Sequence, residues 1–423
     1  MRPVRPIDRG MTLVEIMITL VISSIVAAST FMFFAGQQRI YDTQTKVLNI
    51  QQNLWAAMEV LARYTRAAGS GMYECVRPAS YADATAADGS RLLSTSPSPG
   101  PLTPNLSAPP ATGVRAYSST NGMQFIPPLW IVDNSQSDAG VVQNTDIITV
   151  ALGNRTSGTD TDAALALNVT DTISPIVLMT ANGSNMFRNG EFILLLTTPN
   201  TGYGTNPTND RGCTMFQVTD WVGNSTNLWH SASGGSANWN PPGNQAGMLA
   251  PGGGYTAGSA GVRNFGTFTW VRFFIQLDAN GIPNLMFQQL DQGGSAQVLA
   301  EGIEDLQVSF ACDTGTLGSP NLGNLNGVLD EGSTDPTMAN DEWWNNVPND
   351  NLPRMNTAGY CNVPTAIRLT LVARSLSPDD LINPTLTGNG PLNVENHRPN
   401  PTTDRYRRRI LSTTVYPRNN KPL

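Results

Sequence analysis

Hydrophobic and polar positions change character several times along the chain. Residues 11–35, MTLVEIMITLVISSIVAASTFMFFA, are almost uniformly apolar, broken only by Glu15 and a few hydroxyl side chains. The pattern then becomes amphipathic: Ile40, Val47, Ile50, Leu54, Met58, Leu61 and Tyr64 recur at intervals of three, four or seven, with Gln, Asn and Arg between them. No proline separates the two patterns, and the lone Gly36 is a weak interruption. They predict one helix from about Met11 to Ala68, stopped by Gly69-Ser70-Gly71. At 1.5 Å per residue its first half is long enough to cross a hydrocarbon layer of about 30 Å. The hydroxyls of Thr12, Thr19, Ser23, Ser24, Ser29 and Thr30 can be satisfied by backbone carbonyls of the same helix.

After the helix the period shortens toward two. Residues 76–140 are rich in Pro, Ser, Ala and Gly and read as surface loop, with a strand in the 123–132 region. Strands are predicted at 146–152 (DIITVAL), 191–197 (EFILLLT) and 214–221 (TMFQVTDW). The Gly, Asn and Ser tract 222–263 has too little periodicity to predict a core element. TFTWVRFFIQLD and IPNLMFQQL, joined around Asn280-Gly281, form the strongest hairpin signal, with a positive-φ turn between two alternating runs. VLAEGIEDLQVSFAC (298–312) adds a short turn and a strand, 313–360 is a polar excursion, and AIRLTLVARS (366–375) and YRRRILSTTVYPRN (406–419) complete the set. The fold class is α+β: a long N-terminal α-helix, transmembrane in its first half, packed on a large, mainly antiparallel β head with long loops. The expected boundaries are a leader at 1–10, a membrane or filament-core helix at 11–35, its amphipathic continuation at 36–70, and a head at 71–423 with an inserted subdomain at about 76–260.

Composition narrows the setting. Of 423 residues only 13% are charged, against about 25% in an ordinary soluble domain, while Gly (39) and Pro (30) are plentiful, which points to an exported, loop-rich β protein. A net charge of -7 gives no support to nucleic-acid binding through a globally basic surface. Cys75, Cys213, Cys312 and Cys361 suit two disulfides in an oxidising compartment, and sequence alone leaves three pairings open. The preferred pairing is Cys312 with Cys361, each flanking a predicted strand and together closing the 313–360 excursion, which leaves Cys75 with Cys213.

The N-terminus carries the distinctive chemistry. Arg2, Arg5 and Arg9 precede the apolar run and hold that end on the cytoplasmic side, so the head is exported. Gly10 lies before the apolar run, where a secretory signal would carry its small residues after it. Cleavage after Gly10 would remove only the leader and leave Met11 as a free amino terminus on a retained helix. Glu15 is costly at membrane depth unless something pairs with it. The Met11 amine of a neighbouring helix, displaced along an assembly axis, has the right charge.

These residues, G-M-T-L-V-E-I-M-I-T-L, resemble the class III leader of type IV prepilins and pseudopilins. The resemblance implies cleavage after Gly10 by a prepilin peptidase, N-methylation of Met11, and a role for Glu15 in docking the subunit into a filament. Met11 departs from the commoner phenylalanine at that position. QQNLWAAMEVLARYTRAAGSGM, EGIEDLQVSF, IRLTLVARS and RRRILSTTVYPRN are similar to PilW-type minor pilins; residues 76–260 carry no such likeness. The implied role is a minor pilin, stored in the inner membrane with its head in the periplasm. It would prime pilus assembly with other minor pilins, the major pilin and the inner-membrane assembly platform, and sit at the tip, where a PilY-type adhesin is a further implied partner. The alternatives are a type II secretion pseudopilin, which shares the anchor, and a tip adhesin or DNA-uptake receptor.

Other constellations are weaker. His230 and His397 stand far apart in Pro- or Gly-rich loops, and no nucleophile elbow, phosphate loop or dinucleotide fingerprint occurs, so no enzyme is expected. Asn324, Asn326, Asp330 and Glu331 offer oxygens at calcium-loop spacing, but Leu322 and Ser333 occupy ligand positions of that pattern, and an Asn/Gly surface turn is the commoner use of such a segment. No other cofactor is implied. Arg405, Arg407, Arg408 and Arg409 could meet an anionic surface, yet strand geometry splits Arg407 and Arg409 from Arg408, which favours a structural role. Trp270 reads as core, and Trp343 and Trp344 as candidates for a partner contact.

Overall fold

The computed structural model describes residues 12–70, 80–83, 129–133, 140–154, 163–171, 173–180, 186–197, 213–222, 225–230, 254–290, 295–311, 343–344, 366–379, 382, 391–395, 397 and 404–417. The helix α1 spans Leu13–Ala67. Among the described residues the strands that follow are β1 (Ser80–Asp83), β2 (Leu129–Asp133), β3 (Ile147–Asn154), β4 (Ala163–Ala164) and β5 (Ile176–Val177). Next come β6 (Phe192–Thr197), β7 (Cys213–Gln217), β8 (Asn227–Leu228), β9 (Ala260–Leu277) and β10 (Pro283–Gln289). The chain closes with β11 (Gln297–Glu301), β12 (Ile303–Ala311), β13 (Trp343–Trp344), β14 (Ala366–Arg374) and β15 (Arg408–Val415). The α+β class read from the sequence is the observed one, and apart from the parallel β1–β2 pair the described strand pairs are antiparallel.

The eighteen-residue β9 is the spine of the larger sheet. Its first part, 260–266, pairs with β6, and β6 with β7; its later part pairs with β3 on one edge and β10 on the other. Val271, Phe273 and Ile275 face the core under α1, whereas Phe268 and Trp270 belong to a cluster with Phe192, Leu194 and Phe265. A strand covered on both faces needs apolar residues on both, which is why TFTWVRFFIQL shows little polar alternation.

The smaller sheet has the order β13-β12-β14-β15. Leu306, Val308 and Phe310 of β12 and Ile367, Leu369 and Leu371 of β14 turn toward Leu54, Met58 and Leu61 of α1 in one continuous core. A single residue, Gly302, carries the chain from β11 in the large sheet to β12 in the small one. Its φ is +76°, and a Cβ there would lie 2.8 Å from the Arg374 carbonyl oxygen, so a side chain is excluded by both conformation and space. The segment expected to hold one strand and a turn therefore holds two strands in different sheets.

Residues between 163 and 262 build a second core from Leu165, Ile176, Leu178, Phe187, Ile193, Phe216, Trp221, Leu228, Tyr255 and Val262. This corrects the reading of 222–263 as too poor in periodicity to be a core element, since β8 and the start of β9 lie in it and Leu228, His230, Tyr255 and Val262 are fully buried. Single large side chains from a Gly- and Asn-rich tract enter that core one at a time, which leaves no period to detect. Two smaller departures concern α1 and the hairpin. Ile40 is exposed, because no residue of α1 before Ile50 is buried. In the β9–β10 turn only Gly281 takes positive φ (+75°), and the Asp278 carboxylate accepts from the Asn280 and Ile282 N–H groups at 2.8 Å each.

Candidate assembly site

The N-terminal end of α1 is organised by a reciprocal cap. The Thr12 N–H and hydroxyl both donate to Oε2 of Glu15, at 2.9 and 3.0 Å, and the Glu15 N–H donates to the Thr12 hydroxyl at 3.3 Å. Thr12 at the cap and Glu15 three residues on form a capping box, which satisfies otherwise orphaned donors in the first turn. Thr12 thus differs from the other hydroxyl residues of the segment. Thr19, Ser23, Ser24, Ser29 and Thr30 donate back to carbonyls three or four residues earlier, so their polar groups are satisfied within the helix. What remains outward is apolar: Leu13, Ile16, Leu20, Ile25, Phe31, Met32, Phe33 and Phe34 are all largely exposed. The helix is long and apolar enough to cross a membrane.

The other end of α1 is locked to the head. Ile50, Leu54, Ala57, Met58, Leu61, Ala62 and Thr65 are buried, and the Tyr64 ring lies 5.6 and 5.7 Å from the rings of Phe273 and Phe287. Polar contacts fix the register: Lys46 Nζ donates to the Pro378 carbonyl at 2.9 Å and Asn53 Nδ2 to the Glu301 carbonyl at 3.0 Å. Past the helix, the Gly69 N–H donates to the Ala151 carbonyl and the Gly153 N–H to the Ser70 carbonyl, so the exit is sewn to β3. A force applied along α1 is therefore transmitted to both sheets.

The face of the smaller sheet turned away from α1 is polar and covered. Asp305, Gln307, Ser309 and Thr370 are buried there. A turn carrying Glu395, at φ +45°, lies over them. Its carboxylate accepts from the Thr370 hydroxyl at 2.8 Å and the Ser309 hydroxyl at 3.3 Å, and His397 Nδ1 lies 2.6 Å from Asp305 Oδ2. Sequence reading missed this grouping, since His397 lies 92 residues from Asp305. The i, i+2, i+4 polar row of Asp305, Gln307 and Ser309 was its one visible trace.

The terminal arginines serve the same sheet. Arg408 reaches Glu304 and holds Asp404 through two hydrogen bonds, at 2.7 and 2.5 Å, while Arg407 is bonded to Asp379. Burial opposes the Arg408 charge, but hydrogen bonds to Asp404 and Glu304 outweigh it and raise its pKa further. Burial pushes Glu304 up, and the Arg408 partner works against that rise. Asp404 is lowered: burial alone would raise it, and hydrogen bonds from Arg408 and the Tyr406 N–H reverse the direction. Trp343, expected to face a partner, is instead 5% exposed with the Arg368 guanidinium 4.1 Å above its ring.

Several expected site residues lie outside the described residues: Gly10, Met11, Cys75, Cys312, Cys361, Asn324, Asn326, Asp330 and Glu331. Of Cys213 only the backbone is described, opposite Leu196 at the start of β7. Among the described residues, no group of three or more His, Cys, Asp or Glu side chains is arranged to hold a metal.

With this geometry in view, two family matches acquire a location. Residues 5–31, the start of α1 and what precedes it, match the prokaryotic N-terminal methylation motif. Residues 272–419, from the middle of β9 to just beyond β15, match the type IV pilus-assembly protein W family. The second match thus covers the smaller sheet and part of the larger one, both of which pack against the buried face of α1. No curated protein and no solved structure matches the chain.

Proposed function

Starting from a PilW-type, pilus-related pilin anchored by its N-terminal helix, we propose that this chain is a minor pilin that primes assembly of a type IV pilus and is incorporated at its tip. The observation that carries the reading is one continuous helix whose first half is exposed and almost uniformly apolar and whose second half lays one face, from Ile50 to Thr65, against two sheets, the smaller of which lies within the PilW match. Such a helix suits a subunit drawn out of a bilayer by its neighbours while its head stays folded. The role is assembly, without turnover of a substrate.

In this mechanism prepilin peptidase cuts after Gly10 and the new Met11 amine is methylated. Glu15 then neutralises the Met11 amine of an adjacent subunit. Within one chain its carboxylate is already held by Thr12, the second residue of the mature protein. That contact presets the carboxylate at the end of the helix, where an incoming ammonium group can share it. The partners are other minor pilins, the major pilin, the inner-membrane assembly platform and a PilY-type tip adhesin. The bulky head suits a tip position, because repeated packing along a shaft would crowd it.

Two measurements test this. Mass spectrometry of the purified mature protein should find methylated Met11 at the amino terminus; any other terminus removes the basis of the mechanism. Glu15→Gln keeps an oxygen acceptor for Thr12 but loses the charge, whereas Glu15→Ala loses both. Equal loss of filament incorporation in the two variants, with normal membrane insertion, supports charge pairing. Normal incorporation of Glu15→Gln would leave only the capping role. Normal pili and twitching after deletion of the gene and its paralogues would end the priming reading.

A further inference from the structure

The side of α1 turned away from the head carries a second pattern. Phe34, Tyr41, Leu48 and Trp55 recur every seven residues, and all are more than half exposed. At 100° per residue a seven-residue step drifts by only about 20° on a straight helix, so the four stay within about 60° of one another. They lie on the side opposite Ile50, Ala57 and Leu61, which the head buries. The stripe is continuous with the apolar anchor through Phe34, and at 1.5 Å per residue Leu48 and Trp55 stand about 20 and 30 Å beyond Ala35.

The residues beside the stripe are uncharged. Gln37, Gln44, Thr45, Gln51 and Gln52 flank it and are exposed. Arg39, Asp42 and Lys46 lie about 100° or more around the helix from Tyr41. Charge returns to the stripe only at Glu59, one turn past Trp55. A solvent-facing helix surface usually carries charges, and in a helix pair it is flanking charges that choose between partners. Here those selective charges are missing over about four turns.

The anchor decides which occupant fits. Two copies held in one membrane by the same helix run parallel, and equal anchor depth places each residue opposite its counterpart. The face must therefore suit itself, and it does: apolar side chains meet apolar ones, and each glutamine amide both donates and accepts. No like charges are brought together between Gln37 and Trp55. Polar glutamines make a weak seam in free solution, but confinement to one bilayer supplies a high effective concentration.

We propose that Tyr41, Leu48 and Trp55 form a parallel helix seam through which two copies of this chain pair in the membrane before assembly. The pair holds the outer face of α1 covered in the stored pool and must part before a copy enters a filament. This rests on the membrane anchor alone, and it stands or falls separately from the tip role.

The full chain in its own membrane is the test. A photoreactive phenylalanine analogue at position 41, 48 or 55 should give an adduct of twice the chain's mass, containing both of two co-expressed tags. The same analogue at Asn49, exposed but off the stripe, should not. Leu48→Glu combined with Trp55→Glu places like charges across the seam and should cut the position-41 adduct by about tenfold or more, with membrane level and helix content unchanged. Absence of an adduct at all three stripe positions, an adduct joining a different protein, or equal adducts at Asn49 would each overturn the proposal.

Discussion

In the core under α1, Leu54, Met58 and Leu61 meet Val271, Phe273, Leu306, Val308 and Leu369, every one from a long helix or strand. In the second core, Phe216, Tyr255, Trp221 and Leu228 arrive from short strands and loops, and His230 lies fully buried among them. Its ring packs against Phe216 with centroids 4.2 Å apart and the planes tilted by 32°. The first core is a clamp that fastens a helix, and its residues are interchangeable in kind. The second depends on one titratable ring staying neutral in an apolar site, so the two should answer differently to truncation and to acid.

The largest difference should come from Leu61→Ala. Leu61 is fully buried at the junction of α1 with both sheets, and removing its side chain should cost about 2–5 kcal/mol as lost transfer energy plus a cavity. Denaturant unfolding of the protein in detergent checks this, and protection of the 163–262 region followed by hydrogen exchange should fall less than that of β12 and β14. Comparable loss in both regions would show that the two cores unfold as one.

Acid should act the other way. Burial lowers the His230 pKa from 6.5 to about 4, against smaller opposing contributions from the Ser174 and His230 backbones and the Asp171 carboxylate. At His230 the unfolded chain takes up a proton below about 6.5 while the fold resists until about 4, so the stability that depends on this ring is full above pH 6.5 and declines as pH falls to 4. Two and a half pKa units correspond to about 3 kcal/mol at most. His230→Gln should flatten that slope between pH 6.5 and 4 relative to the parent, read by hydrogen exchange of β7 and β8. An unchanged slope would mean that His230 is not the titrating group.

A smaller effect should separate the clamp from its exit. Gly69 has φ +71° just beyond α1, so Gly69→Ala should destabilise the head by about 1 kcal/mol through left-handed backbone strain. The smallest is Leu20→Ala, on the same helix as Leu61 but largely exposed. It should leave the unfolding midpoint of the head unchanged, and a shift as large as that of Leu61→Ala would erase the distinction between the two halves of α1.

Local signals made the first core legible and showed only part of the second, through the runs at 191–197 and 214–221. The three- and four-residue spacing from Ile50 to Tyr64 predicted the buried face of α1, and the runs at 267–289 and 366–375 predicted the strands it covers. Leu228, His230 and Tyr255 sit in a tract whose composition says loop, and their burial follows from where β6, β7 and the start of β9 pass. The same holds for the polar cluster: nothing near His397 in sequence announces Asp305, and only the β12–β14 register together with the overlying turn joins them.

By itself the sequence determined that three arginines precede Gly10 and a charge-poor segment with one acid follows, and that this segment runs without a break into an amphipathic half, one helix from Leu13 to Ala67. Those properties depend on residues close together in the chain, where spacing and hydrophobicity act directly. The Thr12–Glu15 cap, three residues apart, is local in the same way; tertiary structure alone decided that Gly302 passes the chain between two sheets, that Trp343 lies under Arg368 and that Arg408 is held between Glu304 and Asp404. Each of these turns on which atoms the folded backbone brings within a few ångströms. For most of them that meeting joins residues tens of positions apart, beyond the reach of any local pattern.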